Sequence, residues 1–168
     1  DPLIVHGHAH IDVTGNHMTI TNTPNTILNW QNFSIGPQES VYFQQQDIAS
    51  QILNRVTGND PSHILGNLSS NGHVWLVNPY GVLFGPNARI DVAGLVASTL
   101  DISNIDFLAS RNQFYSANNL GEVRNQGDIQ TTLGGKVWLV GNQVKNEGVI
   151  QTPSGQIALA AGNSIELV

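Results

Sequence analysis

Two stretches of the chain carry apolar side chains at successive positions: G-H-V-W-L-V at residues 72–77 and G-K-V-W-L-V at residues 135–140. Both are short and neither has the spacing of a helix face, so each predicts a strand. Neighbouring side chains on a strand point to opposite faces. Val74 and Leu76 therefore share one face and Trp75 and Val77 the other; Val137 and Leu139 are divided from Trp138 and Val140 in the same way. One set fills a core. The other must be covered by something, or else it is a protein-binding face.

These runs belong to a repeat. Residues 123–142 and 144–163, compared at a shift of 21 residues, agree at nine of twenty positions, among them Asn125/Asn146, Gly127/Gly148, Ile129/Ile150 and Gly141/Gly162. The two V-W-L-V runs lie 63 residues apart, which reads as three further periods. Such a unit is too short for a strand–helix–strand crossover. It reads as three short strands joined by tight corners, with Asn125, Gly127, Asn146 and Gly148 at the corners because Asn and Gly tolerate positive φ. Stacked units of this kind pair in parallel at about 4.8 Å and bury inward apolar ladders. The predicted architecture is all-β, a parallel β-helix in a single domain.

Residues 1–60 are less regular and predict an amino-terminal cap with the first coils; residues 61–168 predict regular coils of about 21 residues. Strands are expected at 4–11, 17–21, 26–30 and 40–43, separated by turn residues such as Gly15-Asn16 and Gly36-Pro37. A cap is what a solenoid uses to shield its first edge. The other end, S-I-E-L-V at 164–168, is apolar without a polar stop, so the chain reads as a fragment whose last strand is an unpaired edge.

Charge changes the functional picture more than the structural one. Charged residues make up 11% of the 168 and the net charge is -6, with Lys and Arg scattered, which excludes a nucleic-acid surface. With no Cys, the fold does not rest on disulfides. His6, His8 and His10 alternate as H-G-H-A-H and would share a strand face. Three nearly collinear imidazoles about 6.6 Å apart suit a tetrahedral ion badly, so no metal and no cofactor are expected. Asp91, Asp101 and Asp106 form the one local group of acids, and without a catalytic motif they do not make an enzyme. No catalytic residue is assigned.

At Asn78-Pro79-Tyr80-Gly81-Val82-Leu83-Phe84-Gly85 the chain resembles the N-P-N-G-I-x-F-G block of the two-partner secretion domain. That domain begins filamentous-haemagglutinin-like adhesins, haemolysins and contact-dependent toxins. Residues 26–36, 53–58 and 94–102 are similar to further blocks of the family, so the resemblance spans nearly the whole chain. Tyr80 and Val82 depart from the usual Asn and Ile. The resemblance implies a right-handed parallel β-helix with an amino-terminal β cap and a role in export. It also implies an extra-helical hairpin or small sheet, which would cover the outer set of the V-W-L-V runs. The unfolded segment would be recognised by the periplasmic POTRA domains of an outer-membrane barrel transporter, and folding at the surface of a Gram-negative cell would template the rest of the helix. The domain would act as a monomer, with any contact to a host cell surface left to the rest of the protein. For Asn78, Pro79, Tyr80 and Gly81 two roles stay open, a turn that shapes a coil corner and a contact for the transporter. Rival readings are an adhesive module for a host glycan or protein and a polysaccharide-active β-helix enzyme.

Overall fold

The computed structural model describes residues 1–116 and 121–168. Its strands form three long sheets that wind as a parallel β-solenoid of about six turns. Sheet A stacks Leu3–His6, Thr26–Trp30, Gln51–Val56, His73–Val77, Gly94–Ser98, Lys136–Gly141 and Gln156–Ala161. Sheet B runs from Ala9–Thr14 and His17–Asn22 through Ser40–Gln44, Asn67–Ser70, Arg89–Val92 and Asp128–Thr131 to Val149–Gln151. Sheet C holds Ser62–Ile64, Val82–Phe84, Glu122–Asn125 and Gln143–Asn146.

The amino-terminal strands cap this stack. Leu3–His6 lies antiparallel on Thr26–Trp30, and Ala9–Thr14 lies antiparallel on His17–Asn22, whereas the neighbouring strands of the coils pair in parallel. The single strand expected over 4–11 is therefore two strands in two sheets. Gly7 breaks it at φ +82°, and a Cβ there would fall 2.4 Å from Thr26 Oγ1. Only glycine passes that point without displacing the next coil.

Register explains the repeat and corrects one reading of it. In sheet A Val74 pairs with Leu95, Leu95 with Val137, and Val137 with Ile157. The two V-W-L-V runs are thus two coils apart, not three: the coil between Leu95 and Val137 holds 42 residues, because an insertion follows Gly94–Ser98. The regular spacing expected over 61–168 is interrupted there. In sheets B and C the 21-residue shift holds, as in Val123↔Val144 and Ile129↔Ile150. In sheet A the last step is 20 residues, since the corner before Gln156–Ala161 is one residue shorter.

Inside the coils, alternate side chains make one continuous core that includes Phe43, Leu68, Val74, Phe84, Ile90, Leu95, Val123, Ile129 and Val137. A second cluster lies outside sheet A. There Trp75, Val77, Val96, Trp138 and Val140 are covered by Phe107, from the short helix Asn104–Leu108, and by Phe114. The cover is a helix plus a two-stranded antiparallel sheet, Gln113–Tyr115 with Ser164–Glu166. The last strand is therefore paired, contrary to the expectation of a free edge at 164–168. It leaves the coil because its Ile165 packs on the outer aromatic cluster.

Candidate functional site

The Asn78–Gly81 turn closes the corner between His73–Val77 in sheet A and Val82–Phe84 in sheet C. Gly81 N donates to Asn78 O at 3.1 Å, the span of a β-turn, and Gly81 takes φ +133°, a conformation that side chains resist. Asn78 is completely buried. Its Oδ1 accepts from Tyr80 N at 2.9 Å, and its Nδ2 donates to Asp60 O at 2.9 Å and to Ser62 Oγ at 3.0 Å. The backbone of Asn78 donates to Ser98 O at 2.9 Å. One side chain thus holds its own turn and ties it to the preceding coil, while its backbone N–H reaches the coil that follows.

Tyr80 points the other way. It is 50% exposed and borders a groove of about 260 Å³ that is also lined by Pro61, Leu83, Glu122 and Arg124. Gly121, where the chain returns from the insertion, crosses the turn so closely that a Cβ there would lie 2.6 Å from Pro79 O. The N-P-Y-G run is therefore a buried junction with one exposed aromatic ring. Arg124 lies between Glu122 at 3.0 Å and Glu147 at 3.7 Å, and Lys145 also meets Glu147 at 3.5 Å, so the charges beside the groove balance.

The corner residues Asn125, Gly127, Asn146 and Gly148 stack directly, as the repeat requires. Their reason differs from the one the sequence suggested, because none of the four adopts positive φ. Asn125 Oδ1 accepts from Gly127 N at 3.0 Å and Asn146 Oδ1 from Gly148 N at 3.2 Å, so each amide folds its own corner two residues on. Asn125 Nδ2 then donates to Asn146 Oδ1 at 3.0 Å and joins successive coils. Glycine is needed for closeness: a Cβ on Gly148 would lie 2.2 Å from Gly127 O, and one on Gly127 would lie 2.7 Å from Gly85 O.

Other candidates are not brought together. His6 ends a strand of sheet A and binds Asn25 O through Nδ1 at 3.0 Å, while His10 lies in sheet B beside Asp12 at 3.2 Å. The break at Gly7 removes the common face that H-G-H-A-H implied, and the described residues contain no cluster suited to a metal ion. Asp91 sits on sheet B with Arg89, Asp101 beside Arg55, and Asp106 beside Arg111. Each acid is matched to a different base, and the Asp101–Arg55 pair is largely buried. The Arg111 hydrogen bond holds the Asp106 carboxyl below the usual range.

Two features escaped sequence reasoning. Arg55, inside one of the family-like blocks, is the cation that holds the insertion to sheet A. Its isolated charge within Q-I-L-N-R-V was the available signal. The second is a stack on the outer face of sheet A. Lys136 Nζ lies 3.9 Å from the Trp138 ring centre and 5.6 Å from that of Trp75, a cation–π arrangement. Burial pulls the Lys136 ammonium down, and burial followed by repulsion from Lys136 holds the nearby His73 below its ordinary value.

The chain was compared with known proteins. The model of the TPS secretion domain matches residues 3–167. A heme/hemopexin-binding protein of Haemophilus influenzae (strain ATCC 51907 / DSM 11121 / KW20 / Rd) is 40% identical over 129 residues, which are 75% of this chain and 14% of that protein. A second Haemophilus influenzae protein of the same name is 36% identical over 115 residues, 68% of this chain and 12% of its own length. The chain thus spans about a seventh or less of the curated relatives it matches. The crystal structure of the HMW1 secretion domain from Haemophilus influenzae superposes with a TM-score of 0.97 at 42% identity, covering 99% of this chain and 45% of that one. Domains of this kind mark exported proteins of Gram-negative bacteria and work with a cognate outer-membrane transporter. On this match, which covers the sequence almost from end to end, the chain belongs to the TPS secretion domain family.

Proposed function

We propose that this domain targets a large exported protein to its outer-membrane transporter, whose periplasmic POTRA domains take up the chain in extended form, and that it then nucleates β-helix folding at the cell surface. The family and the solenoid point to a secretion role without catalysis. The observation that carries the nucleation step is the contrast between the two ends of the coil stack. Antiparallel strands close the amino end. At the other end Ile157 and Leu159 are 47% and 49% exposed, although the residues they stack on, Val137 and Leu139, are wholly buried. An ordered apolar row with open strand edges is a template for a further strand.

Extended peptides bind by adding to sheet edges, and all but the terminal strands of the folded solenoid are already paired on both sides. Recognition of the extended chain therefore predicts that the domain held unfolded in urea binds isolated POTRA domains on dilution, about tenfold or more tighter than the folded domain does. Equal binding by the folded domain would refute recognition in extended form. Binding to host cells without binding to the transporter would favour the adhesive reading. In the full-length protein, Asn78→Ala is expected to lower export together with stability. Export lost at an unchanged urea midpoint would assign Asn78 to transporter contact instead.

A further inference from the structure

The insertion after Gly94–Ser98 leaves the coils on either side in unbroken parallel register. Its segment 101–115 lies over the outer face of sheet A and is held in three ways. Phe107 meets Trp75 edge-on at 5.2 Å and Phe114 stacks on Trp75 at 5.9 Å. Gln113–Tyr115 pairs with Ser164–Glu166, and Tyr115 also bridges to Asp101. Finally, Arg55 on sheet A donates to Ile102 O at 2.6 Å, Asn104 Oδ1 at 2.8 Å and Asp101 Oδ1 at 3.1 Å. The side chains of Arg55 and Asp101 are only 14% and 21% exposed, so their attraction is screened less than that of a surface pair.

We propose that residues 101–115, together with Ser164–Glu166, form a lid that opens and closes as one unit over Trp75, Val96 and Trp138 while the coils stay folded. Arg55 is the positioning residue that pins the lid shut. The lid's own elements are weak: a helix of five residues with one buried side chain, Phe107, and a sheet of two strands. Neither is more than marginally stable alone. The buried side chains of the segment, Ile102, Phe107 and Phe114, belong to the outer cluster and not to the coil core, so the segment can open below the global unfolding free energy. The coils do not depend on the lid for backbone pairing, since the ladders of sheets A and C run past its point of insertion. The lid also joins segments far apart in the chain. If export proceeds amino end first, the aromatic face stays open until residues 164–166 have emerged. That consequence rests on the proposed function; the lid itself does not.

Hydrogen exchange read by mass spectrometry on this chain tests the proposal. Peptides covering 104–115 and 164–166 are expected to exchange together and about tenfold or more faster than peptides covering 74–77. Arg55→Met should speed the lid by about a further tenfold and leave 74–77 unchanged, with Arg55→Lys, which keeps the charge and loses the fork, in between. Oxidative labelling in the Arg55→Met variant should rise at Trp75 and Trp138 and not at Trp30, which lies in the inner core. If lid and coil peptides exchange at one rate in the unaltered protein, or if Arg55→Met speeds both equally, no separate lid exists and the proposal is overturned.

Discussion

Sheet A buries side chains on both faces, and the two faces do so by different means. The inner row, including Val74, Leu76, Leu95, Ala97, Val137 and Leu139, is enclosed by the coils themselves. Each residue needs only its place in the alternation and the closure of its own coil. The outer row of Trp75, Val77, Val96, Trp138 and Val140 is equally buried, but its cover comes from Phe107, Phe114 and Ile165 on segments that the coils do not require. Burial on the inner face is a property of the repeat. Burial on the outer face is a property of one insertion.

The same substitution made in the coil interior and in the outer cover should break this comparison if it is wrong. Phe84→Ala empties a fully buried site within the coils and is expected to cost about 4 kcal/mol in urea unfolding. Phe107→Ala removes an equally buried ring, but the lid can open to relieve the cavity. Its cost to global stability should be at most half as large, about 1–2 kcal/mol, and should appear mainly as faster exchange over 104–115. Equal losses in the two variants would mean that the faces form one cooperative unit.

A corner variant sharpens the inner half of the comparison. Asn125→Ala leaves the buried Gly127 N–H without its acceptor and cuts the link to Asn146. A loss of about 1–3 kcal/mol is expected in the same titration. A Gly148→Ala chain should be destabilised too, through the backbone of Gly127 rather than through φ. If Gly148→Ala is neutral, the close-approach account of these corners fails.

The smallest expected effect is on the outer face and depends on pH. His73 titrates below its ordinary value of 6.5 in the folded protein because burial and Lys136 oppose its charge. The unfolded chain therefore takes up a proton on His73 at a higher pH than the folded one. Stability should fall as pH drops below 6.5 toward the lowered folded value and be unaffected by this group above 6.5. Replacing His73 with Gln should flatten that part of the stability profile. A profile unchanged by the replacement would show that His73 is no more buried than an exposed imidazole.

Much of the inner structure was legible. The alternation in V-W-L-V assigned Val74, Leu76, Val137 and Leu139 to one face correctly, and the N-P-Y-G run marked a turn. What was not legible had specific causes. The 63-residue offset looked like three coils because the insertion adds the length of one coil, and spacing alone cannot tell a coil from a loop of equal length. H-G-H-A-H looked like one strand because the need for glycine at position 7 comes from Thr26, a residue of the next coil. Arg55 showed only as an isolated charge in its strand, and its role could not be read because the groups it binds lie at positions 101–104.

By itself the sequence determined much of the coil: the 21-residue shift of sheets B and C, the places of the corners and the inward rows. These follow from side-chain alternation and from local turn chemistry, which act over a few residues at a time. The tertiary structure alone decided which cover the outer aromatic row receives and where the last strand goes. The 21-residue period would place residues 164–166 on Gln143–Asn146 in sheet C, yet they pair with Gln113–Tyr115 instead. Both edges can pair a strand through its backbone, antiparallel on Gln113–Tyr115 and parallel on Gln143–Asn146. The choice turns on apolar surface: on the lid, Ile165 joins Phe114, Trp75 and Trp138. Those residues lie far apart in the chain, so no local pattern contains the answer.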